Sequence, residues 1–268
     1  MKFEKIPGFH SGRTDLPIAQ RHKLIDSGTV GLFRATHAWG YPAMASPVPA
    51  GGNLINYVRG GAPIVNGPND RLWSASSGVN IPSGSKTASL ALPASWQMPA
   101  NMSHYAIGFF AKISTGGIGG ADNAQVMGLR SATGRQWGLH LKYSNNAYTG
   151  VAVLTFNGSE FNMTNVLPTD GSMHHYAIEF IANGVTYGVK FWIDGTLAYT
   201  SNEQSYSGSI LQPGATPAIG YFYNVASSTM TAGFSIPWIW MQNLAAPGSK
   251  TLAQMITQDR AINGGNFS

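Results

Sequence analysis

Acidic side chains are the residues of this chain from which catalysis could be built, because a retaining glycoside hydrolase needs two carboxylates about 5 Å apart. The sequence has eleven acidic residues: Glu4, Asp15, Asp26, Asp70, Asp122, Glu160, Asp170, Glu179, Asp194, Glu203 and Asp259. No two of them are two or four positions apart, the spacing that places side chains on one face of a strand. Glu179 lies within a predicted strand, and as a lone carboxylate we expect it to face solvent. The sequence therefore predicts that the protein is not an enzyme, unless carboxylates from distant strands converge.

Other catalytic and metal-binding patterns are missing from the sequence. It contains no cysteine, which excludes thiol nucleophiles, disulfide bonds and zinc-thiolate sites. It has no Gly-x-Ser-x-Gly motif of the serine hydrolases. None of the seven histidines forms an i, i+4 pair, and the neighbours His174 and His175 would point to opposite faces of a strand. We therefore predict no metal site and no cofactor.

Loop residues offer a different chemistry, the binding of a sugar. Amide and carboxylate groups can hydrogen-bond sugar hydroxyls, and an aromatic ring can pack on the apolar face of the sugar. The candidate residues are Asp122, Asn123, Asn145, Asn146, Tyr148, Asn157, Tyr221, Tyr223 and Asn224. Asn and Asp are also favoured in turns for conformational reasons alone, so each cluster has a structural explanation beside the functional one.

Alternating side chains indicate the strands that must position these loops. Residues 174–181 alternate in direction, as in a strand that is buried on one side, and residues 189–193 have the same period of two. Asp194 and Gly195 then supply the positive backbone torsions of a two-residue turn. Residues 196–200 are predicted to return as the partner strand of a hairpin.

One short run occurs twice in the chain. The sequence HYAI appears at 104–107 and again at 175–178, and in both places a Phe and an Ala follow at the same spacing. The flanking residues do not match. We therefore predict two strands that pack in the same way on one sheet, and no tandem repeat.

The order of these elements resembles the concanavalin A-like lectin/glucanase superfamily, particularly its laminin-G-like jelly rolls. Further segments fit in the same order: strands over 76–82, 104–113, 217–221 and 234–241, and a helix over 249–262 with Ser249 as its N-cap. The resemblance spans roughly residues 50 to 263. It implies an all-β fold, a two-sheet antiparallel jelly-roll sandwich with a short C-terminal helix. It specifies the fold and not the function, because the superfamily contains lectins, hydrolases and structural modules.

The first part of the chain differs from the rest in composition. We predict an extended N-terminal arm over residues 1–45 and a jelly-roll domain over 46–268. The arm is interrupted by prolines and carries Phe33, Trp39 and Tyr41, which are costly to leave in water. It is therefore expected either to lie over the sandwich or to dock on a neighbouring subunit as an assembly element.

Charge and hydropathy exclude several partners. The formal net charge is +5, and six of the basic residues lie in the first 34 positions against three acidic ones. The jelly-roll region is nearly neutral and lacks the dense Lys/Arg clusters of nucleic-acid readers. The sequence has no apolar run of about 20 residues, and its N-terminus has no apolar segment of a signal peptide. We predict neither nucleic-acid binding nor membrane insertion.

Two functions remain open at this stage. Low charge, high Gly, Ser, Ala and Asn content, and an arm before a jelly roll are similar to phage structural proteins. We therefore expect a non-enzymatic virion component, such as a tail, fibre or capsid-decoration subunit made in the host cytoplasm, which forms a homo-oligomer, contacts other virion proteins and attaches to host surface glycan. The alternative is a stand-alone carbohydrate-binding module or a weak glycosidase.

Overall fold

The computed structural model describes residues 22–38, 40–116, 122–131, 134–221 and 229–265. The strands, in chain order, are β1 (Thr29–Arg34), β2 (Asn53–Leu54), β3 (Ile64–Asn66), β4 (Trp73–Ser74), β5 (Gly78–Ile81), β6 (Ser89–Ala91), β7 (His104–Ser114), β8 (Asn123–Ser131), β9 (Gly134–Ser144), β10 (Ala147–Phe156), β11 (Ser159–Thr164), β12 (His174–Ala182), β13 (Thr186–Ile193), β14 (Thr196–Thr200), β15 (Gln204–Ser205), β16 (Ala218–Gly220), β17 (Thr229–Thr231) and β18 (Gly233–Asn243). A 3-10 helix spans Ala94–Trp96, and the α-helix α1 spans Leu252–Asn263. Within these ranges no helix is both long and apolar enough to cross a membrane.

The strands form two sheets. Sheet A has the order β14-β13-β12-β7-β18-β5-β4, with β1 also paired to β18 and β15 to β13. Sheet B has the order β11-β10-β9-β8-β16-β6-β3-β2, with β17 also paired to β8. The pair β17 and β8 is parallel, and the other pairs of named strands are antiparallel. The predicted all-β sandwich of two antiparallel sheets with a C-terminal helix is confirmed.

The repeated HYAI run lies in the centre of sheet A. β7 and β12 are neighbours, and Ile107 lies opposite Ile178. On each side of this pair a tyrosine lies opposite a phenylalanine, and the Phe109 and Tyr176 rings stack with their centroids 5.2 Å apart. Both runs therefore contribute to the core between the sheets in the same way. The prediction of two similar strands on one sheet is confirmed.

A second apolar layer covers the outer face of sheet A. Its buried members are Leu24, Leu32, Tyr57, Ala106, Phe110, Ala177, Trp238, Trp240, Leu252, Met255 and Ile256. Helix α1 contributes the last three, so one face of this helix is packed on the sheet. The helix is capped by Thr251 and not by the predicted Ser249. The Thr251 hydroxyl accepts from the Gln254 amide at 3.3 Å, and the Gln254 side chain accepts from the Thr251 amide at 2.9 Å, a capping box that satisfies two backbone donors.

The described part of the predicted N-terminal arm is packed on the sandwich. β5 pairs with only the first part of β18, residues 234–236. β1 pairs with residues 238–242 of β18 and so satisfies backbone groups of β18 that β5 does not reach. Phe33 and Tyr41 are 1% and 3% exposed. Their burial within the same chain corrects the view of these two residues as assembly contacts. Trp39 lies outside the described residues.

Candidate functional site

Five of the predicted sugar-binding residues meet at one end of sheet B. They are Asp122, Asn123, Asn145, Asn146 and Tyr148. Asn145 and Asn146 form the tight turn between β9 and β10, with φ angles of 49° and 65° that Asn tolerates well. The start of β8 lies beside this turn, because the Asp122 carbonyl accepts a hydrogen bond from the Tyr143 amide at 2.8 Å. The Asp122, Asn145 and Asn146 side chains are exposed there.

Sheet A adds a histidine between two carboxylates at the same end. His174 begins β12, and its Nδ1 lies 2.6 Å from Oδ2 of Asp194. Its Nε2 lies 3.0 Å from Oδ1 of Asp170, in the loop before β12. Asp194 also accepts a hydrogen bond from the His175 backbone amide at 3.0 Å. The predicted Asp194-Gly195 turn therefore reverses the chain and is also hydrogen-bonded to the start of β12. We call the five residues of sheet B together with Asp170, His174 and Asp194 the rim.

The protonation state of His174 follows from its partners. Carboxylate oxygens accept hydrogen bonds, so these contacts favour the protonated imidazolium, in which both ring nitrogens donate. Burial opposes this charge, but the hydrogen bonds to Asp194 and Asp170 outweigh it and raise the pKa of His174. The Ser172 amide and the His174 side chain lower the pKa of Asp170 in turn. The rim has three aspartates, Asp122, Asp170 and Asp194, against one histidine, so acidic groups are in excess.

Three tyrosines, of which Tyr148 belongs to the rim and two lie beneath it, connect the two sheets. The Tyr143 and Tyr148 rings lie 5.9 Å apart, and burial raises the pKa of each phenol to about 12. Both hydroxyls are buried without a hydrogen-bond partner among the described residues. Burial, reinforced by the nearby Asp194, Asp170 and Tyr148, raises the pKa of Tyr176. The sheet A and sheet B parts of the rim are therefore neighbours in space.

The remaining predicted binding residues lie elsewhere. Asn157 forms the turn between β10 and β11, at the opposite end of the ten-residue strand β10 from Asn145, a distance of about 30 Å. Its side-chain oxygen accepts from the Leu211 amide at 2.8 Å, a structural role. Tyr221 follows β16 and is partly buried, and its backbone amide donates a hydrogen bond to the Ala88 carbonyl. Tyr223 and Asn224 lie outside the described residues.

The prediction for Glu179 was wrong. Its side chain is 7% exposed, shares a hydrogen bond with the His104 ring at 2.7 Å and forms an ion pair with Lys190 at 3.5 Å. Burial alone would raise the pKa of Glu179, but the His104 hydrogen bond and the Lys190 charge lower it. The carboxylate is therefore occupied by two basic neighbours on its own sheet. Its side-chain partners among the described residues are His104 and Lys190, and neither is the second carboxylate that a glycosidase dyad would require.

Sequence reasoning missed a buried polar cluster under helix α1. Asp259 is fully buried and accepts hydrogen bonds from Trp240 at 2.5 Å, Asn263 at 2.8 Å and His175 at 3.0 Å. These contacts join the helix to β12 and β18. Among the residues that the structure describes, no group of three or more His, Asp or Glu side chains could hold a metal ion. Unlike the buried Asp259 cluster, the rim brings exposed polar groups of both sheets together.

Comparison with solved structures places this fold among known β domains. Botulinum neurotoxin type C, which depends on interaction with two ganglioside molecules to enter cells, aligns with a TM-score of 0.55 and 10% identity over 81% of this chain and 50% of that chain. A Trypanosoma rangeli sialidase complex aligns with a TM-score of 0.52 and 10% identity over 91% and 34%. The botulinum neurotoxin serotype D binding domain gives 0.50 and 11% over 86% and 50%.

These likenesses establish a fold and no more. The chain spans between about a third and half of the length of these structures. No protein-family profile matches the sequence, and no curated protein matches it. The fold is a β-sandwich like those of these structures, in agreement with the jelly-roll resemblance of the sequence.

Proposed function

We propose that this protein is a non-enzymatic carbohydrate-binding domain and that its rim holds the sugar. The observation that carries the proposal is the convergence at one end of the sandwich of the exposed groups of Asp122, Asn145 and Asn146 with the anchored acids Asp170 and Asp194. These loops come from both sheets, and the tightly paired strands behind them fix their positions. Rigid positioning of several polar groups is what selective binding of hydroxyls requires.

The chemistry of the rim suits a neutral sugar surface. Carboxylate and amide oxygens accept hydrogen bonds from sugar hydroxyls, and the amide nitrogens of asparagine donate to them. The partly buried Tyr148 ring provides apolar surface next to the Asn145-Asn146 turn. Support for sugar binding in general, and not for a neutral sugar, also comes from two of the similar structures, one of a toxin that interacts with gangliosides and one of a sialidase.

As the setting for this binding we propose attachment of a virion to a host surface. Support comes from composition, namely a cysteine-free chain with few charges and many glycines. Light scattering of the full-length protein after gel filtration tests the assembly part of this proposal. A trimer or larger species is expected from a virion subunit, and a monomer at all concentrations would favour the alternative of a stand-alone module.

A glycan microarray probed with the full-length protein tests the proposed function, with two matched variants. Asn145→Gly and Asn157→Gly both replace an Asn of positive φ in a hairpin turn, at opposite ends of β10, and glycine accepts that conformation. The wild type should bind a set of glycans on the array. We expect Asn145→Gly to bind these same glycans about fivefold or more weakly, because one or two hydrogen bonds are lost. Asn157→Gly should bind as the wild type does.

Two results would overturn the proposal. Equal binding by both variants and the wild type would remove the Asn145 turn from the site, and the absence of any retained glycan would remove the function. The retained glycan should also be recovered unchanged after incubation with the protein, as judged by mass spectrometry. Release of a smaller sugar would make the protein a hydrolase.

A further inference from the structure

His174 joins two separate loops of the rim. Its Nδ1 lies 2.6 Å from Asp194, in the hairpin turn between β13 and β14. Its Nε2 lies 3.0 and 3.1 Å from the two carboxylate oxygens of Asp170, in the loop between β11 and β12. The Asp170 and Asp194 side chains are 55% and 44% exposed, whereas the histidine side chain between them is 16% exposed. The acids are therefore open to a ligand, and the ring that joins them is largely covered.

The two acids are not held equally. Asp194 also accepts a hydrogen bond from the His175 amide at 3.0 Å, and its turn is fixed by the pairing of β13 with β14. Asp170 accepts from the Ser172 amide at 2.9 Å, which lies in the same loop. His174 therefore supplies the hydrogen bond that ties Asp170 to sheet A, whereas Asp194 keeps its place without the ring.

Both contacts of the ring depend on its protonation. A protonated ring donates from both nitrogens, but a neutral ring has one N–H and one nitrogen that only accepts. That nitrogen and a carboxylate oxygen are both acceptors, so a neutral ring loses one of its two carboxylate contacts. Asp194 is fixed by its turn, and Asp170 is therefore the group that is released. Deprotonation also removes the positive charge between the two carboxylates, which then repel each other.

We propose that His174 is a positioning residue that makes sugar binding at the rim dependent on pH, a regulation that rests on the proposed function. The protonated ring holds Asp170 beside Asp194, where both carboxylates can accept hydrogen bonds from one sugar. The neutral ring releases the Asp170 loop, and the fraction of the protein that is ready to bind falls. Between about pH 5.5 and about pH 9, affinity should therefore fall as the pH rises through the folded-state pKa of His174.

The groups around the ring support His174 as the residue that titrates. Histidine is the side chain whose ordinary pKa lies near neutral pH, and the rim contains one histidine. Burial alone would lower the pKa of His174, but the hydrogen bonds to Asp194 and Asp170 outweigh it and raise this pKa. The Ser172 amide lowers the pKa of Asp170, and burial raises the pKa of Tyr176. The titratable and charged groups around the ring and its loops are Asp170, Asp194, Tyr176 on β12, Tyr148 on β10 and, beside the hairpin turn, Arg260 of α1.

The uncharged oligosaccharides of a glycan microarray, probed at about pH 5.5 and about pH 9, test this regulation, because their own charge does not change in this range. We expect the full-length wild type to bind about fivefold more weakly at the higher pH, the effect of one lost contact. His174→Gln should show no change with pH, since its amide does not titrate. His104→Gln is the matched control and should keep the wild-type pH dependence. The His104 ring also contacts a carboxylate, that of Glu179 at 2.7 Å, but it lies at the opposite end of β12.

Asp170→Asn provides a test that loss of folding cannot imitate. An asparagine amide can accept from a protonated ring nitrogen or, after rotation, donate to a deprotonated one. The loop should then stay in place at both pH values, so Asp170→Asn should bind more tightly than the wild type at about pH 9. An NMR titration of the wild type without sugar gives an independent readout. The Ser172 amide resonance should shift with the same midpoint as the His174 ring.

Failure of this regulation and failure of the proposed function give different results. Glycan binding by the wild type that does not change with pH would refute the regulation and leave the proposed function intact. The same pH dependence in His174→Gln as in the wild type would place the titrating group elsewhere. A Ser172 amide that does not follow the ring would refute the release of the Asp170 loop. The absence of binding to any glycan at either pH would refute the proposed function and the regulation together.

Discussion

Replacing Asp259 by alanine should destabilise the fold far more than its position in the C-terminal helix suggests. The side chain is fully buried and accepts hydrogen bonds from Trp240, His175 and Asn263, which are themselves at most 1% exposed. The substitution leaves three buried donors without a partner, each at a cost of about 1–3 kcal/mol. Some of them will find water or relax, so we expect a total loss of about 3–5 kcal/mol, typical of a broken buried polar cluster.

Urea unfolding measures this loss when it is followed by both tryptophan fluorescence and far-ultraviolet circular dichroism. For a denaturant dependence of about 3 kcal/mol per molar urea, the midpoint should fall by about 1 to 1.7 M. Asp70→Ala is the matched control, because Asp70 is exposed and accepts one hydrogen bond, from the Ala50 amide at 3.0 Å. It should cost no more than about 1 kcal/mol. A loss of that size for Asp259→Ala as well would refute the role of the buried cluster.

Two further outcomes follow from single contacts. Gly108→Ala should lower stability by about 1–3 kcal/mol in thermal unfolding, because a Cβ at this position would lie 2.1 Å from the Trp240 ring. Gly116→Ala is the control and should be neutral, because a Cβ there would make only an ordinary contact of 3.4 Å. His174 has a raised pKa, so its contribution to stability is complete below about pH 6.5 and is lost as the pH rises through the folded-state pKa. An NMR titration should give a His174 pKa above 6.5, and a value below it would refute the imidazolium bridge.

The strands and turns of this protein could be predicted because they depend on local properties. The period of two in residues 174–181 and the turn residues Asp194 and Gly195 are properties of short segments, and the structure places β12 and the hairpin turn there. The helix start was missed by two residues although the signal was present. Thr251 and Gln254 have the Thr-x-x-Gln spacing of a capping box, which identifies a better N-cap than Ser249.

Burial on the outer faces of the sheets could not be predicted in the same way. Alternation shows that Glu179 points away from the core, but it does not show which neighbouring side chains and elements lie on that outer face. The sequence left open for a related reason whether the segment with Phe33 lies over the sandwich or docks on a neighbouring subunit, since only the pairing of β1 with β18 shows that it is a strand of sheet A. Both are contacts between residues far apart in the sequence.

The candidate site likewise combines features that the local sequence sets with features that only the fold sets. The sequence by itself determined the all-β fold and the Asn, Asp and Tyr residues available for binding, because turn and strand preferences are set by each residue and its immediate neighbours. Only the tertiary structure decided that Asn145 and Asp122 share one end while Asn157 lies at the other. It also decided that Asp170 and His174 join them from the opposite sheet. That neighbourhood depends on how the two sheets stack, which is set by packing across the whole core and not by any one segment.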